Sequence, residues 1–250
     1  MGLKRLSSIF RYLSWSNPIY KWKVSRGNCP LCGKSHFLSF KESPFQTRCL
    51  RCKATITNLS LIPIIAEHAG KNHNHSVYEL STYGSTLNFL KLNFSKVFTS
   101  EYFPDKKCGE LINGILNQDV QKLTFADNTF DIITSNQVFE HVPDDIKGFS
   151  ECFRVLANRG ALIFSIPLYN IEKTTKIASI INNEIVFTET PEYHDSRLGG
   201  AKSAPVFYHH SIHDICDRVK SVGFSKVILK EVSIVKTQGK PQLVIYAIKQ

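Results

Sequence analysis

No stretch of this 250-residue chain is an unbroken apolar run of the roughly 20 residues that a membrane-crossing helix needs. The N-terminus also lacks the continuous apolar core and small-residue cleavage site of a secretory signal. Leu6 stands where a myristoylation signal carries Ser or Thr, so Met1-Gly2 does not read as a lipid anchor. Acid is nearly missing from the first 60 residues, which hold eleven Lys and Arg against Glu42 alone. The remaining 190 residues carry 20 basic and 20 acidic side chains, so the whole net charge of +10 belongs to the N-terminal part. A contact of residues 1–60 with RNA or with an anionic membrane surface accounts for that asymmetry, and so does a solvated basic surface with no partner. The seven cysteines are not an even set, and four of them pair at metal-ligand spacing. That usage points to a reducing, cytoplasmic compartment, with or without peripheral membrane contact. What is present is a 42% hydrophobic chain, long enough for one α/β domain and a small appendage.

Three segments follow from the pattern. Residues 1–27 form a basic amphipathic stretch, with Leu3, Leu6, Phe10 and Leu13 at helical spacing among Lys4, Arg5 and Arg11. It reads either as an interfacial helix or as a helix packed on the main domain, ending at Pro18. Residues 28–57 form a small zinc ribbon. Cys29-x-x-Cys32 and Cys49-x-x-Cys52 frame a 16-residue gap, and four thiolates in two such knuckles suit a closed, structural Zn2+ site. Residues 58–250 form the main domain. Strands are expected near 76–80, 96–100, 115–119, 130–135, 160–166, 226–233 and 242–248. Helices are expected over 58–70 with an interruption at Pro63, and near 86–92, 145–157 and 211–222. This alternation predicts an α/β fold, a Rossmann-like, doubly wound, mostly parallel sheet closed by a C-terminal antiparallel strand. An insertion near 170–195 predicts its own hairpin, turning at Asn182-Asn183.

Glycine is scarce where it is most expected. The stretch Val77–Leu90 reads as a buried strand, a tight turn and a helix start, the usual seat of a nucleotide-type cofactor, yet its turn holds only Gly84. Acids stand at the ends of successive strands: Glu79, Glu101 and Asp119. Glu101 lies 22 residues after Glu79, a spacing suited to accepting two ribose hydroxyls.

Downstream, Leu123-Thr-Phe-Ala-Asp-Asn-Thr-Phe-Asp-Ile-Ile-Thr134, then Glu140-His141-Val142-Pro143, then Arg154-Val-Leu-Ala-Asn-Arg-Gly160 follow one another. Together these runs resemble the type-11 group of class I S-adenosylmethionine-dependent methyltransferases over roughly residues 76–167. The family's first motif carries three glycines, where this chain has Ser81, Tyr83 and Ser85, with Gly84 one place early. A subset of the family has a single glycine there, and this chain also shares its Ser100-Glu101-Tyr102-Phe103 and Pro191-Glu192-Tyr193-His194. The resemblance implies S-adenosyl-L-methionine as cofactor. It implies Ser81 and Gly84 in the loop, Glu79 under the methionine part, and Glu101 with its neighbour Tyr102 at the ribose. It further implies Asp119 and Val120 about the adenine, Ser135 and Asn136 beside the methionine moiety, and Glu140 at the pocket mouth. Asp131 reads as support for a strand–loop junction, and Arg154 as a surface or interhelix ion pair.

An already activated methyl group needs an aligned acceptor and exclusion of water, and a hydroxyl acceptor also needs a base. His141 and His194 are the candidate catalytic residues; for His141 the alternative is a satisfied structural histidine. Three functions stay open: a methyltransferase acting on a small molecule or glycan, an RNA methyltransferase using the basic ribbon segment, and a non-catalytic zinc-ribbon binding protein on a degenerate scaffold.

Overall fold

The structure is a computed structural model that describes residues 22–40, 43–196 and 198–250. The basic amphipathic helix expected within residues 1–27 lies outside the described residues as far as residue 21.

A three-stranded antiparallel sheet comes first: β1 (Trp22–Cys29), β2 (Gly33–Phe40) and β3 (Thr47–Cys49), in that order. Strand β1 starts at Trp22 and so crosses the boundary expected between residues 27 and 28. Its pairing with β2 closes at Cys29 opposite Gly33, whose φ of +79° makes the knuckle turn. Phe37, Cys49, Ile56 and Leu59 are buried together with Ile62 and Val235, so this small sheet shares one apolar cluster with the rest of the molecule. Gly27 is required by that contact, because a Cβ there would lie 2.4 Å from Val235 Cγ1. Ser25 and Ser39 reach the hydroxyl of Thr237 at 2.7 and 3.1 Å.

Helix α1 (Ile56–Leu59) is capped by the Thr55 hydroxyl, which accepts from Asn58 N, and α2 (Leu61–Ala69) follows. The helical stretch therefore breaks at Ser60, not at Pro63. Pro63 falls in the first turn of α2, where backbone N–H groups have no intrahelical partner and a missing one costs little.

The main sheet contains β4 (Ser76–Glu79), β5 (Lys96–Thr99), β6 (Phe130–Asn136), β7 (Leu156–Ser165), β8 (Lys226–Val232) and β9 (Gln242–Ile248). Their order is β8-β9-β7-β6-β4-β5. The pairs among β4, β5, β6 and β7 are parallel, while β9 runs antiparallel to both β7 and β8. This is the mostly parallel α/β sheet expected. Alternation along the strands builds two cores. Leu162 and Phe164 of β7 face the cluster with Phe149, Cys152 and Val155 of α4 (Asp145–Val155) and Ile215 and Val219 of α5 (Ile215–Lys220). Ala161 and Ile163 face the opposite cluster with Leu61, Ile64 and Ile65 of α2 and Leu90 of α3 (Ser85–Asn93).

The strand expected over 115–119 is not formed as such. Ile115–Leu116 turns back on Leu111–Ile112 through Asn113-Gly114, both at positive φ, the type I′ signature of an Asn-Gly hairpin. Beyond it, a single bridge pairs Asn117 with Glu101. The Asn117 side chain is spent on the 103–107 loop, accepting from Phe103 N at 2.9 Å and donating to the Lys106 carbonyl at 2.9 Å.

Residues 166–214 form the insertion. Ala178–Ile181 and Glu184–Phe187 pair as the expected hairpin, with Asn182 and Asn183 both at positive φ. A second hairpin, Tyr193–Ser196 with Gly200–Pro205, follows. The insertion docks on the segment after β6: Phe207 N–H donates to Glu140 O at 2.8 Å and Tyr208 Oη to Pro143 O at 3.1 Å.

Candidate active site

Strand β4 ends at Glu79, which is fully buried and accepts a hydrogen bond from the Thr134 hydroxyl of β6. Burial pushes its carboxyl up to about 8; the Thr134 bond opposes that and the charge of Glu101 adds to it. The chain then turns. Thr82 donates both its N–H and its hydroxyl to Glu101 Oε1, each at 2.7 Å, which ties the loop after β4 to the end of β5. Ser81 spends its hydroxyl locally, on the Tyr83 backbone at 3.3 Å. Gly84 precedes α3 at φ +105° and ψ 171°, a conformation essentially reserved for glycine. A Cβ there would meet open space, so the backbone conformation and not packing demands the glycine.

Leu80, Ser100, Glu101, Tyr102, Gln118, Asp119, Val120, Gln121, Val138 and His141–Pro143 line one cavity of about 120 Å³. Five residues expected at the site therefore meet there: Glu101, Tyr102, Asp119, Val120 and His141. Asp119 accepts from Gln121 N at 2.9 Å, which shapes the 119–122 turn on the cavity wall. Glu79, Ser81, Gly84, Ser135, Asn136, Glu140 and His194 do not line this cavity. Ser135 is buried and its hydroxyl has no partner among the described residues. Asn136 is committed to α1, donating at 3.1 Å to Thr57 O and to Asn58 Oδ1, while Thr86 of α3 donates to Asn58 O at 2.8 Å. Gln118, Gln121 and Val138 were missed as lining residues. Gln118 and Gln121 flank Asp119 and Val120 in the sequence, and Val138 stands two residues before Glu140.

A second group gathers at the cavity mouth. Glu140 is fully buried, and neither carboxylate oxygen has a hydrogen-bond partner among the described residues. Burial pushes its carboxyl up to about 8 and holds the neighbouring His141 imidazole down to about 4. The Nδ1–H of His141 donates to Pro205 O at 2.8 Å. His194, from the second inserted hairpin, brings Nδ1 within 3.3 Å of His141 Nε2 and 3.9 Å of Glu140 Oε1. Glu192 lies 3.4 Å from His194 Nε2 and accepts from His209 Nε2 at 2.7 Å. The structure thus brings His141 and His194 together although 53 residues separate them.

The four sulfur atoms of Cys29, Cys32, Cys49 and Cys52 all lie within 4.8 Å of one another. Cys29–Cys52 and Cys32–Cys49 approach to 3.6 and 3.5 Å, close to the roughly 3.8 Å edge of a tetrahedron with Zn–S bonds of about 2.3 Å. Burial opposes ionisation of Cys49, but backbone N–H groups and the Ser35 hydroxyl at 3.1 Å outweigh it and lower its thiol to about 6. The donor set and its spacing fit a zinc ion.

Asp131 accepts from Ser76 N at 2.7 Å and so joins β6 to the start of β4. Arg154 pairs with Asp127 at 2.7 Å and Glu151 at 2.8 Å. Both are structural contacts. Among the described residues, no helix is long and apolar enough to cross a membrane.

Residues 67–164 match the family described as Methyltransferase domain. Among solved structures, an S-adenosylmethionine-dependent methyltransferase from Mesorhizobium loti is similar at 16% identity and a TM-score of 0.51, over 76% of this chain and 98% of that one. The 1,6-didemethyltoxoflavin-N1-methyltransferase of Burkholderia thailandensis, solved with its substrate and S-adenosylhomocysteine, is similar at 13% identity and a TM-score of 0.52, over 78% of each chain. No curated protein matches the chain.

Proposed function

We propose that this chain, whose residues 67–164 match a methyltransferase domain, is an S-adenosylmethionine-dependent methyltransferase that transfers the methyl group to a hydroxyl of a small molecule or glycan. The observation that carries this reading is the cavity lined by Glu101, Asp119, Val120 and His141, with His141 held by Pro205 of the insertion.

The proposed roles follow from position. Glu101 holds the ribose hydroxyls through Oε2, since Oε1 already serves Thr82. Tyr102 flanks that contact, and Asp119 and Val120 border the adenine. Gly84 lets α3 open with its free N–H groups toward the carboxylate of the amino-acid part, beside Ser81. Glu79, Ser135 and Asn136 stand behind the methionine part, where the Ser135 hydroxyl has no partner among the described residues. When bound, the cofactor would supply a methyl group activated on a sulfonium, so the residues have to align the acceptor, exclude water and accept the proton its hydroxyl gives up. Glu140, His141 and His194 form the acceptor side. Cys29, Cys32, Cys49 and Cys52 hold a structural zinc, supported by their near-tetrahedral spacing.

Calorimetry with S-adenosylhomocysteine on wild type and Glu101→Ala tests the cofactor half. A charge-assisted hydrogen bond is worth roughly 1.5–3 kcal/mol, so the variant should bind at least about tenfold more weakly. Absence of binding by folded wild-type protein would overturn the reading in favour of a degenerate scaffold. Labelled methyl transfer into extract fractions tests the acceptor half. Label in RNA and not in glycan or small molecules would favour the alternative that the basic first 60 residues suggest.

A further inference from the structure

The charges at the cavity mouth do not balance by themselves. Pro205 O can only accept, so His141 carries its proton on Nδ1 and presents a bare Nε2. Glu192 holds His194 from the other side, 3.4 Å from Nε2, and a carboxylate can only accept there. His194 Nδ1 is then bare as well. Two imidazole lone pairs face each other at 3.3 Å. Against them stands Glu140 Oε1, 3.7 Å from His141 Nε2 and 3.9 Å from His194 Nδ1. Glu140 is buried, with both oxygens unpartnered among the described residues. Three electron-rich atoms converge. A proton on Glu140 would not join them, because 3.7 and 3.9 Å are beyond hydrogen-bond range and the two imidazole nitrogens would still face each other. A buried carboxylate in that state is costly unless a cation joins it.

We propose that Glu140, His141 and His194 bind a divalent transition metal at the mouth of the cofactor cavity. Ligand atoms on a tetrahedral ion with bonds of about 2.1 Å lie about 3.4 Å apart. The observed separations of 3.3, 3.7 and 3.9 Å need only small inward movements. Each histidine already has the outer partner that metal-bound histidines use: a backbone carbonyl for His141 and a carboxylate for His194. Two imidazoles and one carboxylate suit zinc, manganese, iron or cobalt, and leave positions open for an exogenous oxygen. His141 also lines the cavity, so the ligand class at the open positions is a hydroxyl-bearing acceptor bound through oxygen. That last step rests on the methyltransferase reading; the metal site does not.

A doubly protonated His194 is the rival, with a proton in place of the metal. It explains the His141 and Glu192 contacts but gives Glu140 no hydrogen bond, because its one inward N–H is used on His141. A centrally placed ion touches all three groups.

The test uses the full chain with its cysteine site loaded, and manganese(II) alone as probe. Manganese prefers oxygen and nitrogen ligands over thiolates. The loss of free-ion signal in electron paramagnetic resonance should report one bound equivalent. Glu140→Gln and His194→Ala should each weaken it at least about tenfold. His194 sits on a partly exposed hairpin, so its variant keeps the fold even where the buried Glu140 substitution does not. Melting temperatures without added manganese check this. No binding to wild type, or equal binding by all three proteins, would overturn the site. So would a charged His194 seen by NMR in protein that takes up no metal. No cofactor is present in the titration, so its outcome is independent of the calorimetry with S-adenosylhomocysteine.

Discussion

Glu79 shows how a single buried carboxyl sets a pH dependence. Burial pushes its carboxyl up to about 8 in the folded chain, from an ordinary value of 4.5. Between those values the unfolded chain has released a proton that the folded chain keeps. Stability contributed by this residue therefore falls as pH rises from about 4.5 to about 8, by at most about 1.4 kcal/mol per pH unit, and is flat outside that window. Glu79→Gln removes the titration while its side-chain carbonyl can still accept from Thr134. The variant should melt close to wild type near pH 5, and the gap in its favour should widen toward pH 8. Parallel curves of melting temperature against pH would show that Glu79 is ionised in the folded chain. At this scale the sequence was informative wherever position follows from local pattern. Glu101 at a strand end and the two cysteine knuckles are local features, and the structure puts Glu101 on the cavity wall and the four sulfur atoms together. The meeting of His141 with His194 was not legible, because it depends on how Pro205 and Phe207 fold back on the segment after β6.

Among elements, the least obvious connection joins the N-terminus of α4, the inserted strand Tyr208–Ser211 and α5. Asp145 is fully buried at the first turn of α4. It accepts from Arg218 Nη2 at 2.6 Å and is 3.0 Å from His210 Nε2. Burial alone would raise its carboxyl, but His210 and Arg218 outweigh that and hold it below the usual range. A depressed folded-state value means stability that is present above the ordinary carboxyl range and lost as pH falls through the folded value. Arg218→Ala should cost roughly 1.5–3 kcal/mol at neutral pH. The loss should shrink as acid protonates Asp145 in both proteins. Urea unfolding at pH 7 and at pH 3 compares the two, and an equal deficit at both would mean that Arg218 acts by packing over Tyr208 and not through Asp145. The elements themselves were mostly legible, because hydrophobic period and the Asn182-Asn183 turn are short-range signals. The strand misplaced at 115–119 carried an equally local signal, Asn113-Gly114. Ile115 and Leu116 after it look like a strand start, but the Asn-Gly turn folds them back on Leu111–Ile112. Pro63 misled for the opposite reason, since a proline's effect depends on whether it falls inside a helix or in its first turn.

At the scale of the whole molecule the question is whether the cysteine-bearing sheet is an appendage or a part of the cofactor site. Phe37, Cys49, Ile56 and Leu59 form one buried cluster with Ile62 and Val235, and Phe89 of α3 packs against it. Helix α1 emerges directly from this cluster. Its Thr57 and Asn58 carbonyls hold Asn136 at the end of β6 and Thr86 at the start of α3. Those are the two ends between which the methionine part of the cofactor is proposed to lie. A charge count assigns the basic residues to the N-terminal part and suggests a separable module, but charge says nothing about shared core. If the zinc site is intact in the native protein, its binding free energy is folding free energy for this cluster. Cys52→Ser, at a half-buried ligand, removes that site without touching the histidine cluster. We expect this variant to lose one zinc by elemental analysis. It should unfold in one transition at a lower temperature, by about 2–4 °C for each kcal/mol lost in a chain of this size. It should also bind S-adenosylhomocysteine several-fold more weakly, because α1 loses the packing that fixes Thr57 and Asn58. An unchanged affinity in a variant that has lost its zinc would show that α1 is held by the main domain alone, and that the small sheet serves a partner outside the cofactor site.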